Sequence, residues 1–299
     1  MNQINPLISV VVPIYNRSHL IKNTINSILN QSYQNFEIIL IDDFSQDVNQ
    51  LKSIITEIND ERINLLFHTE NKHGAAARNT GIIAAQGHYV AFLDSDDVWN
   101  SEKLELCLNY NIKSHQVLYS KFKNQGHYYP KRAKQNLESV GDYLLVNAQA
   151  MQTSTLFMQT SIAKQVMFDQ SLVRFQDYDF TIRLEHHGAE FIFIDAPIVS
   201  MLDDDKGSRI SNSVNAEPAI FWLDKIAPLI SLEAKKSFYI NRVVRLLIIS
   251  GHKDQIYKMM TLDIFKALST IQKFKLLAFR LLPNRFWALI RTIYKWKNN

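Results

Sequence analysis

Residues 7–17 read Leu-Ile-Ser-Val-Val-Val-Pro-Ile-Tyr-Asn-Arg. The run Leu7–Val12 is short, apolar and β-branched, and Pro13 is predicted to end it. Such a run suits a strand buried on both faces, as in a parallel sheet. The chain then repeats the theme. Helical spacing over 18–30, with Ser18 as N-cap, leads to a second strand at 36–41 and a helix at 48–58. A third strand follows at 63–67, then a small-residue helix at 75–85 closed near Gly87, then a fourth strand at 89–93. Alternation at this spacing predicts an α/β fold, a mainly parallel sheet covered by helices. Beyond 101 the pattern loosens. We expect a helix over about 101–113, a strand near 116–122, irregular chain to about 150 and a strand over 153–158. A helix over 177–187, a strand over 191–194 stopped by Pro197, and mostly helix beyond about 216 complete the reading.

Composition bounds the function. The 299 residues are 46% hydrophobic and 21% charged, enough apolar surface for a sizeable core. The single cysteine, Cys107, excludes an intrachain disulfide framework and a cysteine-based zinc site. A net charge of +4 gives no argument for nucleic acid. Residues 1–6 lack a basic and apolar leader, and no run of about 18 apolar residues occurs, so a cytoplasmic protein is expected. Charge is nevertheless uneven. Residues 264–299 hold eight Lys or Arg and no acid, which leaves −4 for residues 1–263.

In an open parallel sheet the carboxyl ends of the strands share one edge, where ligands bind. Three polar loops follow buried strands: Pro13-Ile14-Tyr15-Asn16, Asp42-Asp43-Phe44-Ser45 and Asp94-Ser95-Asp96-Asp97. Five carboxylates and Tyr15 should therefore converge. Like charges that close repel, and a hard divalent cation such as Mg²⁺ or Mn²⁺ relieves the repulsion. Alone, Asp94–Asp97 would read as a solvated loop; its place beside the other two loops favours a cation site. In Asn71–Asn79 (NKHGAAARN), Gly74 suits a tight turn, and a helix start plus Arg78 suits a diphosphate.

These pieces, in this order, resemble the family 2 glycosyltransferases of GT-A fold, a Rossmann-like architecture for nucleotide-diphospho-sugars. The resemblance rests on Ile8–Arg17, Ile39–Asp47, Asn71–Ile82, Phe92–Asp97 and Phe175–Leu184 (FQDYDFTIRL), and covers roughly residues 7–200. It implies an inverting, metal-dependent transfer from a nucleotide-sugar, by family habit a UDP-sugar. Pro13 and Tyr15 would lie against the base, with Asn16 in the same donor loop. Asp43, beside Asp42, would read the base edge, and Arg78 would lie near the diphosphate. Asp96 would ligate Mn²⁺ or Mg²⁺, with Asp94 or Asp97 at the ribose or acting through water. Asp177 matches the catalytic base, with Asp179 as competitor. An acceptor hydroxyl must lose its proton as it attacks, so such a base is required.

The sequence also departs from the family. Gln176 stands where a Glu is usual, and Phe44 where a Gly is usual. Asp203-Asp204-Asp205-Lys206-Gly207 replaces a common His. The expected organisation is a catalytic domain over 1–215, its donor half about 1–100 and acceptor half about 101–215, then a helical region over 216–299. In the tail, helices over 264–282 and 284–297 are predicted, broken at Pro283. Lys266, Lys273 and Arg280 recur every seven residues in the first helix, opposite Ile264, Phe265, Leu268, Ile271 and Phe274. Basic amphipathic helices suit an anionic membrane surface, and the alternative is packing on protein. Together with the family's habits, this suggests a glycan or lipid-linked acceptor and a peripheral position on the inner face of a bacterial membrane. Surface polysaccharide or lipopolysaccharide would be the product. Two other functions compete. A sugar nucleotidyltransferase would need a glycine-rich basic loop where PIYNR stands, and a non-catalytic glycan- or nucleotide-sugar-binding module would not need the full acid set.

Overall fold

The computed structural model describes residues 5–202, 215–250, 252, 255–258 and 262–281. The chain divides into two compact units, Met1–Glu138 with Gln149–Lys206, and Ser139–Ala148 with Gly207–Asn299.

The first unit is built on one sheet: β1 (Ile8–Ile14), β2 (Phe36–Asp42), β3 (Ile63–Phe67), β4 (Tyr89–Phe92), β5 (Asp97–Trp99), β6 (Gln116–Asn124), β7 (His127–Tyr129), β8 (Phe157–Gln159) and β9 (Glu190–Met201). The order is β3-β2-β1-β4-β8-β6-β9-β5, with β7 paired to β6. β1 to β4 run parallel, β8 enters antiparallel between β4 and β6, and β5 closes antiparallel on β9. Its helices are α1 (Ser18–Leu29), α2 (Val48–Ile58), α3 (His73–Ala84), α4 (Lys103–Asn109), α6 (Thr160–Val166) and α7 (Gln176–His186); α5 (Val140–Leu145) belongs to the second unit. The β-branched character of β1 pays off in burial on both faces, with Ile8, Val10, Val11 and Val12 fully enclosed. The small residues of α3 let it press onto the sheet: a Cβ on Gly81 would stand 2.3 Å from Val11 Cγ1 and 2.9 Å from Ile41 Cδ1.

Several sequence expectations need correction. Pro13 does not end β1, which runs on to Ile14. β4 pairs only as far as Val11, so Pro13 owes no donor on that side. Ser18 is the first helical residue of α1 rather than its N-cap; its amide donates to Asp47 Oδ2 at 2.9 Å. α3 starts at His73, and the positive φ of 67° falls on His73 rather than on Gly74. Pro197 does not stop β9; it sits opposite Lys121 at a register shift, where a missing amide is tolerated. Thr153–Thr155 is a 3₁₀ turn before the short β8. The stretch read as irregular holds β7 and α5.

The second unit is helical: α5, α8 (Glu217–Ile226), α9 (Leu232–Phe238), a π-helical turn over Tyr239–Val244, α10 (Arg245–Ser250), α11 (Gln255–Lys258), α12 (Leu262–Ala267) and α13 (Thr270–Leu281). Trp222 and Phe238 meet edge-on at 4.6 Å in its core, and Ser231 Oγ donates to Asp142 Oδ1, tying α9 to α5. The helix expected over 264–282 is two helices. They break at Leu268–Ser269, where Ser269 and Gln272 cap each other reciprocally: Gln272 N donates to Ser269 Oγ, and Ser269 N to Gln272 Oε1. Its apolar set splits too. Ile264 and Leu268 are buried, while Phe265, Ile271 and Phe274 are exposed, as is Leu277, which lay outside that set. The helix expected over 284–297 and the acids Asp203–Asp205 lie outside the described residues. Among the described residues no helix is long and apolar enough to cross a membrane.

Candidate active site

The loops after β1, β2 and β4 meet at one edge of the sheet, and backbone bonds fix their shape. Asp43 N donates to Ile14 O at 2.8 Å. Asn16 N donates to Ser45 Oγ at 2.9 Å, and Gln46 N to Asn16 Oδ1 at 2.8 Å. Asn16 is therefore the clasp between the first two loops. Pro13 is half-buried in β1, and Tyr15 is 46% exposed. Asp42 is buried, its Oδ2 accepting from Ser45 N at 3.2 Å. Asp43 is buried as well. Its Oδ1 meets His68 Nδ1 at 2.7 Å and the Lys72 amide at 2.9 Å, while His68 Nε2 meets Thr80 Oγ1 at 2.9 Å. His68 was not anticipated. Its only signal was position, one residue past the end of β3, as Asp43 is one past the end of β2.

The acidic loop after β4 is braced from beneath. Thr24 Oγ1 of α1 lies 3.0 Å from Ser95 O and 2.9 Å from Asp97 O. Ser154 Oγ donates to Asp97 Oδ2 at 2.6 Å and accepts from the Asp94 amide at 3.1 Å. The four positions thus part company. Asp97 opens β5 and is turned inward, with 1% exposure, and Ser95 is buried. Asp94 and Asp96 keep partial exposure.

Arg78 links this loop to α7. Its Nη2 lies 2.5 Å from Asp94 Oδ1 and its Nη1 donates to Gln176 Oε1 at 2.8 Å. The guanidinium rests over the Phe168 ring at 5.4 Å, and Phe168 stacks on Phe180 at 4.0 Å. Asn79, the next residue, exchanges two bonds with the Phe168 backbone at 2.8 and 2.7 Å. Gly74 leaves room for this arrangement, since a Cβ there would stand 3.1 Å from Arg78 Nη1 and 3.3 Å from Gln176 Oε1.

Asp177 follows Gln176 in the first turn of α7. Burial pushes its carboxyl up to about 6 from 3.8. The Tyr178 amide and the Arg78 charge pull it down, and Asp94 pushes it up. The like-charge neighbour lost with Gln176 is therefore not what tunes this acid; desolvation is. Asp179 is otherwise engaged: its Oδ2 accepts from Arg183 Nε at 2.6 Å, and Arg183 donates to the Val166 and Met167 carbonyls at 2.8 Å. Asp179 braces α7 against α6, which leaves Asp177 as the acid of this turn that feels the Arg78 charge.

Positive φ values occur at Asn16 (53°), Phe44 (65°), His73 (67°) and Phe175 (62°), each bordering a site residue. At Phe44 the turn takes the left-handed conformation that glycine favours.

A cation could be held only partly by protein. Among the described residues no three His, Cys, Asp or Glu cluster as a cage. Asp96 and Asp94 still fit a hard cation of the Mg²⁺ or Mn²⁺ type, which takes one or two carboxylates and completes its shell with phosphate oxygens and water.

Comparison with known proteins identifies the family and the architecture. Residues 9–174 match the family described as Glycosyl transferase family 2. The amylovoran biosynthesis glycosyltransferase AmsB of Erwinia amylovora is 32% identical over 233 residues, 74% of this chain and 77% of that protein. WfgD of Escherichia coli, a UDP-Glc:alpha-D-GlcNAc-diphosphoundecaprenol beta-1,3-glucosyltransferase, is 42% identical over 108 residues; the match spans 36% of this chain and 42% of WfgD. The crystal structure of S. aureus TarS 1-349 in complex with UDP-GlcNAc superposes with a TM-score of 0.67 at 18% identity, covering 97% of this chain and 92% of that one. The shared architecture is the GT-A fold.

Proposed function

Because the chain belongs to glycosyl transferase family 2 and is a glycosyltransferase, we propose that it moves a sugar, with inversion, from a nucleotide-sugar to an acceptor hydroxyl. The observation that carries this reading is Asp177, a carboxyl tuned to about 6 beside the Arg78–Asp94 pair. A base of that affinity is ionised at neutral pH yet takes a proton readily. Asp177 removes the acceptor hydroxyl proton during attack on the anomeric carbon. A single in-line displacement inverts that carbon. Arg78 offsets the charge that grows on the departing diphosphate. Gln176 and Phe168 hold its guanidinium in place, and Gly74 keeps the space around it clear. Asp96, with Asp94, would hold Mn²⁺ or Mg²⁺, and that ion when bound supplies further positive charge at the leaving group. Tyr15 and Asp43 bind the base end of the donor, and Pro13, Asn16 and Asp42 shape its pocket.

The donor we assign is a UDP-sugar, and the acceptor a glycan or lipid-linked saccharide of bacterial surface polysaccharide synthesis. The names of AmsB and WfgD support that assignment. The organisation we propose is a catalytic domain over 1–215, with donor and acceptor halves meeting near residue 100, and a helical region over 216–299. The exposed Phe265, Ile271, Phe274 and Leu277, in a tail carrying eight basic residues and no acid, support peripheral binding to an anionic membrane.

Titration with UDP, with and without Mn²⁺, and with GDP and dTDP as controls, tests the donor assignment. Metal-dependent binding of UDP is expected, followed by turnover with one member of a UDP-sugar panel. Folded protein that binds no nucleotide would overturn the reading and leave a non-catalytic module in its place.

A further inference from the structure

We propose that Phe44 is an aromatic wall of the nucleobase subsite, set beside Tyr15 and against the face of the base. The inference rests on the reading of the β1 and β2 loops as the base end of the donor site.

Two features of Phe44 each work against the free fold. Its φ of 65° is left-handed, where a Cβ crowds the neighbouring carbonyl and only glycine sits without strain. Its ring is 57% exposed, so little apolar burial is gained in return. A strained backbone carrying an exposed phenyl ring does not serve folding, and such outliers persist where they serve a ligand. The conformation is imposed from both sides. Asp43 N is held by Ile14 O, Ser45 N by Asp42 Oδ2, and Gln46 N by Asn16 Oδ1.

The surroundings name the ligand class. β1 and β2 are paired with Ile14 opposite Asp42, which sets Tyr15 opposite Asp43 and brings Phe44 one residue further along the neighbouring chain. Adjacent strands lie about 4.8 Å apart. Two exposed aromatic residues thus leave adjoining chain ends next to a buried carboxylate, Asp43, whose Oδ1 is fixed by His68 and the Lys72 amide. Flat rings beside a fixed acceptor suit a planar heteroaromatic group, its faces on the rings and its N–H edge toward the acid. A saccharide offers no such plane, and a lipid tail would not need the acid.

The test is calorimetric titration of UDP, with Mn²⁺ present, into the wild type and the variants F44G, F44L and F44W, together with their thermal midpoints. Stacking on one ring is worth a factor of about ten or more in affinity. F44G should bind UDP at least about tenfold more weakly while melting at a higher temperature, because glycine relieves the strained φ. F44L keeps an apolar side chain but loses the plane, and should weaken UDP in the same direction. F44W should stay within about threefold of wild type. A wild type that binds UDP, with F44G and F44L binding equally well, overturns the proposal and leaves the donor reading standing. Lower turnover at unchanged UDP affinity also overturns it, placing the ring at the acceptor instead. A wild type that binds no nucleotide removes both the donor reading and this one.

Discussion

Replacing Asp177 by Asn should make the protein more stable and nearly inactive, and the stability gain should depend on pH. The native carboxyl sits at about 6 against 3.8 for the free group, because burial disfavours its charge. An acid whose native pKa is raised stabilises the fold while it is protonated. That contribution is whole below about pH 4 and is lost as pH rises through about 6. The gap between 3.8 and about 6, at about 1.4 kcal/mol per pH unit, makes ionised Asp177 cost about 3 kcal/mol at pH 8 and about half that at pH 5. Asparagine never ionises and does not incur this cost. Urea unfolding of ligand-free protein in chelator, at several pH values from 5 to 8, should show D177N gaining on wild type by about 1.4 kcal/mol across that range. Turnover should fall by about a hundredfold or more at every pH. A gap that stays flat with pH, or a variant less stable than wild type, would refute the buried-charge argument. Full turnover would remove Asp177 as the base.

Wild-type kcat/KM should rise about tenfold per pH unit up to about pH 6 and then level off, following ionisation of Asp177. In Q176E a second carboxylate would meet the Arg78 fork now bonded at 2.8 Å to the amide; by spending that charge and adding a like one beside Asp177, it should move this acidic limb to higher pH in the rate profile. D96N should abolish the Mn²⁺ dependence of UDP binding, read by the same titration with and without the ion. D97N, which alters a fully buried acceptor of Ser154 Oγ, should lower stability by about 1–3 kcal/mol in the same urea assay. Gly81→Ala would drive a methyl into Val11 and Ile41 and should cost about 1–3 kcal/mol or more, read by the urea midpoint.

Legibility in the sequence followed how local the cause was. α2 and β3 fall at the residues predicted, because apolar periodicity and flanking turn residues settle such elements within one window. That β1 to β4 run parallel was equally readable from strand–helix alternation. What escaped depends on distant partners. The strand expected over 153–158 shrinks to the three residues of β8, because only Phe157–Gln159 find pairing partners on β4 and β6. β9 survives Pro197 only because a register shift on β6 absorbs the missing donor. The β6–β7 hairpin did carry a local mark, since Gln125 and Gly126 have φ of 47° and 78°, the primed turn that a glycine in second place favours. Within the site, residue types pointed to the right loops but did not say which way each acid faces. Asp94, Asp96 and Asp97 look alike in sequence; Thr24 and Ser154, about 70 positions before and 60 after, decide that Asp97 turns inward. His68 needed the register of β3 on β2, which no short window contains.

The bracing by Ser154 bears on how such enzymes can be recombined. The acidic loop near residue 95 takes its shape from a hydroxyl at 154, and Arg78 and Asn79 are held by Gln176 and the Phe168 backbone. A chimaera that exchanged donor preference by splicing relatives near residue 100 would separate each of these groups from the partner it evolved with. The smallest cassette that transplants with its supports runs from Ile8 to the end of β9 at Met201, the residue paired with Asp97, so a new donor preference would have to travel with its own Asp177.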